Sequence, residues 1–335
     1  MEIKRYNQID ILKGFAIILV LISHSIPNNK WKFDIFIYFH IYQAVPIFII
    51  LLAINNGLSF RKKSYLKLNQ LYQKHYFIGK FKRLFLVLIF LYLFVLISNI
   101  NIFFIGFGHY FIIILIQFIF IFPLIYYNYQ KNPKLTIIIC FLIDFLFQIS
   151  FNYFYDKIFH IIYINEIFKS SIFRYFSFII IGLYILDKYD NDKSLKIFLN
   201  NNKILYVLIP LSFLYLSFHY LIKNNFMEFL VYINYYETIF SVFYSCFIVL
   251  IGLAYLPKQS KNQFYKFLQY IGKSSLHIFI FQIIFCYLIH TYTPELYSKN
   301  VLYMLIAVFI TLTYCILIGI LWYSIEVKLL NKSEN

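Results

Sequence analysis

Asp10-Ile-Leu-Lys13-Gly-Phe-Ala-Ile-Ile-Leu-Val-Leu-Ile-Ser-His24 is the stretch whose reading decides this chain. Extended to residues 9–26, it predicts a first membrane-spanning helix that carries an acid, a base and a histidine in an otherwise apolar run. At about 100° per residue, Asp10, Lys13 and His24 share one helix face. At about 1.5 Å per residue, Lys13 and His24 lie roughly 16 Å apart along the axis, about half a bilayer core of about 30 Å. Each polar group costs free energy in hydrocarbon, so the stripe must face protein or a wet cavity. Two readings stay open: the floor of an active site, or an Asp10–Lys13 pair at the membrane surface with a satisfied interior histidine.

The rest of the chain agrees with a membrane protein. Of its 335 residues 62% are hydrophobic and 13% charged, with mean hydropathy +0.73. A soluble globular domain carries about a quarter charged residues, so that class is excluded. Runs such as 85–97 and 111–127 are continuous rather than alternating, which predicts helices and not a barrel. Cys140, Cys246, Cys286 and Cys315 each stand alone in an apolar run and read as small core residues. No His, Cys or carboxylate spacing suggests a metal site.

Ten spans are expected, at about 9–26, 35–55, 84–104, 109–127, 135–151, 173–186, 204–221, 238–256, 270–290 and 300–322, with a tight turn at Gly106-Phe-Gly108-His109. With both termini cytoplasmic, inside segments hold 21 Lys or Arg and outside segments six, as the positive-inside rule requires. That placement also accounts for the net charge of +16 without nucleic acid. The chain reads as a single transmembrane domain, 1–335, with no appended soluble domain and no internal repeat.

The opening stretch closely resembles the first-helix motif of the acyltransferase-3 family, in which a basic residue, usually Arg, is followed by Gly, an apolar run and a histidine eleven positions on. Lys13 and His24 keep that spacing. Phe39-His-Ile-Tyr-Gln43-Ala-Val-Pro46 resembles the second-helix block. Lys80-Phe-Lys-Arg83 resembles an Arg-x-x-Arg element, and Tyr270-Ile-Gly272-Lys-Ser-Ser275-Leu-His-Ile-Phe-Ile-Phe-Gln282 a late-helix motif that often ends in His. The resemblance implies an integral enzyme of the inner, cytoplasmic membrane. It implies transfer of an acyl group, most often acetyl from cytoplasmic acetyl-CoA, to a hydroxyl of a saccharide or lipid-linked glycan.

His24 is the expected catalytic base, since a histidine titrates near neutral pH and a hydroxyl loses its proton as it attacks a thioester. Lys13, Lys80 and Arg83 are the expected cations for the donor's phosphates, with anionic lipid as the ordinary alternative for basic residues at a helix end. Asp10 is expected to pair with Lys13 or order the cytoplasmic mouth. Gln43, Gln117 and Gln282 either hydrogen-bond substrate or bridge helices. A glycan transporter is the rival function, and matching broken helices in two halves, its usual sign, are not seen. A family member without activity is a third reading, given Lys13, Lys80 and Gln282 at the variant positions.

Overall fold

The computed structural model describes residues 7–25, 43–65, 67–98, 108–158, 167–168, 170–191, 200–201, 203–221, 239–259, 261–293 and 301–332. Residues 39–42 of the second-helix block, Gly106 and Phe107, His40, His160, Glu166, Lys169 and Glu237 lie outside them. The described residues are helical, with no strand among them. The helices are α1 (Asn7–Ser25), α2 (Ala44–Lys62), α3 (Leu68–Leu71), α4 (Lys74–Ser98), α5 (Tyr110–Lys131), α6 (Pro133–Ile158), α7 (Phe176–Asn191), α8 (Leu205–Leu221), α9 (Val242–Tyr255), α10 (Gln263–Lys273), α11 (Ser275–Tyr292) and α12 (Val301–Lys332).

Six of these have segments long and apolar enough to cross a membrane: α1, α2, α5, Pro133–Phe151 of α6, α11, and Leu305–Leu329 of α12. Shorter apolar helices cover Leu88–Ser98, Leu205–Leu216 and Ile239–Tyr255. Large apolar side chains point outward from several of them, Phe85, Ile97 and Phe309 among them. In water such a surface would aggregate; in lipid it is the expected one.

Two of the boundaries that differ from expectation do so for physical reasons. The ninth expected span, 270–290, is two helices: α10 ends at Lys273 and α11 begins at Ser275. Asn262 caps α10 by accepting from the backbone N–H of Phe264 at 2.8 Å, a typical start signal. The second expected span runs on to Lys62, so Asn56–Arg61 are helical rather than loop. Within that stretch the buried Asn56 donates its amide to the Leu52 carbonyl at 2.7 Å.

The contacts fall into two compact units, one of residues 1–33, 84–109 and 256–335, the other of residues 34–83 and 110–255. The first unit is built on glycine. A Cβ at Gly272 would overlap the Asp10 carbonyl, and one at Gly14 the Leu268 carbonyl. The residue order fixes α1 and α10 as antiparallel, with backbones in direct contact. Above this crossing α12 runs antiparallel to α11, with Gly319 against the Ile278 backbone and Phe285 stacked on Tyr314 at 4.7 Å. The start of α1 is clasped by polar groups: Gln8 donates to the Leu256 carbonyl, Asn7 to the Lys258 carbonyl, and Gln269 to Asn7 Oδ1.

In the second unit α2 and α7 run parallel, with Gly182 against the Ile50 backbone and Gly57 against Leu183 and Leu186. At their common end Arg61 pairs with Asp187, which also accepts from the Tyr129 hydroxyl. Pro123 interrupts α5. Its missing N–H leaves the Ile119 carbonyl without a helical donor, and the Tyr76 hydroxyl supplies one at 3.2 Å. Beside it the Tyr72 hydroxyl donates to the Phe120 carbonyl at 2.7 Å. Burial raises both phenols above the ordinary tyrosine value, so both remain protonated donors at neutral pH.

Candidate functional site

In the first unit the polar stripe of α1 is sheltered. Asp10 is 2% exposed, and Lys13 and His24 are half-buried. At the far end of the stripe, His24 meets residues from two other parts of the chain. The His290 imidazole of α11 hydrogen-bonds the His24 backbone. Gly108 stands against the ring itself: a Cβ there would lie 3.5 Å from His24 Nε2 and 3.3 Å from the Phe279 ring. Gly108 has φ +89°, a backbone region that glycine enters without strain. The turn therefore brings bare backbone, followed by the buried His109, to the reactive edge of the imidazole. The His24 Nε2 edge is thus bordered by glycine backbone and the Phe279 ring, with no side chain of residue 108 between them.

Of the other expected site residues, Gln282 belongs to the same unit and is fully buried on α11, hydrogen-bonded to Cys286 one turn on. The rest lie in the second unit. Gln43, fully buried, accepts from the Ser245 hydroxyl at 2.6 Å and so ties α2 to α9. Gln117 uses both ends of its amide on main chain, donating to the Ser170 carbonyl at 3.1 Å and accepting from the Ile172 N–H at 2.7 Å. Those contacts are of the bridging kind that was the alternative for both glutamines. Lys80 is half-buried with its ammonium 6.0 Å from the Tyr76 ring centre. Arg83 follows on the same helix, α4, and its side chain lies outside the described residues.

Two clusters escaped the sequence. His290 stood out by no spacing, because its partner is 266 residues away. Asp144 on α6, fully buried, accepts from the Ser177 hydroxyl, the Ser177 N–H at 3.2 Å and the Gln148 amide at 2.5 Å. The three residues of this cluster are 4 and 33 positions apart along the chain, on two helices. Among the described residues no group of three or more His, Cys, Asp or Glu is placed to hold a metal ion.

Residues 6–320, nearly the whole chain, match a protein family described as an acyltransferase domain. The chain belongs to the acyltransferase-3 family. No curated protein and no solved structure matches it. Membership makes this chain a membrane acyltransferase with several apolar helices in the bilayer.

Proposed function

We propose that this acyltransferase moves an acetyl group from cytoplasmic acetyl-CoA to a hydroxyl of a cell-surface saccharide or lipid-linked glycan, with His24 as the base. In this reading the chain crosses the inner membrane ten times with both termini inside, as the distribution of Lys and Arg favours. Asp10 and Lys13 then lie toward the cytoplasm and His24 toward the outer face. The observation that carries the proposal is the setting of His24, with its Nε2 edge beside the side-chain-free Gly108 and its backbone held by His290.

The chemistry assigned to His24 is general-base catalysis. Its imidazole takes the acceptor hydroxyl proton as the oxygen bonds to the acyl carbon, and the thioester C–S bond breaks with the electron pair leaving on sulfur. The histidine is then reset by releasing its proton to solvent or to the leaving thiolate. Lys13, Lys80 and Arg83 are assigned to the donor's phosphates, where an ammonium acts as a point charge and a guanidinium as a bidentate fork. Asp10 orders the mouth at Lys13.

Mass spectrometry of the surface glycan from cells with the intact gene, a deletion and His24→Ala tests this. Loss of an acetyl-sized mass in both altered strains at unchanged glycan yield is expected. Loss of the glycan itself on deletion would favour transport instead. Retained acetylation in His24→Ala at normal protein level would remove His24 from catalysis.

A further inference from the structure

The first unit holds a second histidine site, to which the proton transfer at His24 assigns no role. On α11 the His277 Nε2 pairs with Glu326 Oε2 of α12, and both residues are buried, at 5% exposure each. The other ring nitrogen, Nδ1, is buried with no hydrogen-bond partner. A buried polar atom without a partner costs about 1–3 kcal/mol, and such an atom calls for an explanation. A carboxylate that orients one imidazole nitrogen and leaves the other open is an arrangement found where histidine meets a ligand.

The position on the helix narrows the ligand. His277 and His290 are 13 residues apart on α11, about 20 Å along the axis, and His290 marks the level of His24. In an extended pantetheine arm, roughly thirteen bonds separate the sulfur from the first phosphate; with peptide-like advance per bond they cover about 16 Å. Adding the ~3 Å between reacting atoms gives the interval from His24 to His277.

The surroundings fit a phosphate. Tyr323 packs edge-on against His277 at 5.6 Å, and Tyr270 against Tyr323 at 6.3 Å. These rings grade from the exposed Tyr270 through the half-buried Tyr323 to the buried imidazole. Tyr270 shares one face of α10 with Lys266 and Lys273, at spacings of four and three. Residues 256–275 contain no Asp or Glu.

We propose that His277, held by Glu326 and roofed by Tyr323 and Tyr270, binds the phosphate at the end of the donor's pantetheine arm, with Nδ1–H as the hydrogen-bond donor. Glu326 orients the ring through Nε2, and a swing of Tyr323 admits the phosphate. This inference rests on acetyl-CoA being the donor.

The test is calorimetric binding of CoA and of pantetheine, which lacks the phosphate, to the purified full-length protein. His277→Phe and Glu326→Gln should each weaken CoA binding at least tenfold, about 1.4 kcal/mol, and change pantetheine binding less than threefold. Equal losses for both ligands, or no loss for CoA, would overturn the assignment and leave the donor intact. Failure of the unaltered protein to bind CoA would instead remove the donor itself, and this inference with it. Deuterium exchange at the His277 ring carbon between its nitrogens, in the unaltered protein, guards against variants that do not fold. CoA should slow that exchange severalfold and pantetheine should not; the same rate with and without CoA would also overturn the assignment.

Discussion

Tyr76→Phe removes one oxygen atom, and the setting of that oxygen fixes the cost. In an uninterrupted helix the Ile119 carbonyl would accept from the N–H of residue 123, but that residue is Pro123. The Tyr76 hydroxyl stands in for the missing donor at 3.2 Å, and Tyr76 is only 9% exposed. Its removal leaves a carbonyl without its donor in an apolar setting, at a cost of about 1–3 kcal/mol. The phenyl ring of the variant keeps its packing on Phe60, 5.2 Å away between ring centres, so no cavity adds to that figure. In a Pro123→Ala background the helix regains its own donor, and Tyr76→Phe should then cost less than about 0.5 kcal/mol. The two sites are therefore expected to couple by about 1–2 kcal/mol, within the range for groups that share a partner. Reversible unfolding by a denaturing detergent, applied to the four proteins of the cycle, measures this. An equal cost for Tyr76→Phe in both backgrounds would refute the claim that the hydroxyl replaces the proline's missing N–H.

Other consequences can be tested in the same preparation. Burial first, and the neighbouring Tyr72 second, raise the Tyr76 phenol above its ordinary value. Its folded value therefore exceeds the unfolded value of about 10, so its contribution is complete below about pH 10 and is lost as pH rises toward the folded value; detergent unfolding at pH 8 and pH 10.5 should show the fall in the parent and a smaller one in Tyr76→Phe. Gly272→Val forces side-chain atoms into the Asp10 carbonyl and should cost at least about 1–3 kcal/mol as overpacking, whereas Gly79→Ala, with nothing within 4 Å, should leave unfolding unchanged or slightly improved. Gly108→Ala meets both a positive φ and the crowding of Phe279 and His24, and should lower glycan acetylation while the amount of folded protein, read by gel filtration, falls less. Asp144→Leu strips the Ser177 hydroxyl and Gln148 amide of their acceptor and should destabilise by about 1–3 kcal/mol per orphaned donor, with Asp144→Asn milder because one amide oxygen still accepts.

How much of this was legible in the sequence depended on whether the signal was local. Continuous apolar runs announce spanning helices, because hydrocarbon demands some twenty apolar residues in a row, and α1, α5 and α6 stand where those runs are. The break between α10 and α11 falls at Gly272-Lys-Ser-Ser, four residues inside the ninth expected span, which its apolar flanks made read as one continuous helix. The spacing of Lys13 and His24 was visible because one helix carries both. The His24–His290 contact and the His277–Glu326 pair join residues 266 and 49 positions apart, and nothing short of the tertiary fold brings them together. Gln117 shows the limit of residue type as a guide: a glutamine in an apolar run fits substrate binding and helix bridging equally, and only the fold shows both ends of its amide on backbone.

The clasp on the start of α1 also sets an order of events during biosynthesis. Asn7 and Gln8 are among the first residues made, but the carbonyls of Leu256 and Lys258 and the glycine face of α10 come about 250 residues later. At roughly 5–20 residues per second, α1 waits on the order of 10–50 s in the bilayer before its backbone partner exists. For that interval the polar face carrying Asp10 and Lys13 lacks α10, and the insertion machinery must hold it. A ribosome stalled before residue 256 would thus leave α1 in the membrane with its closest packing partner not yet made.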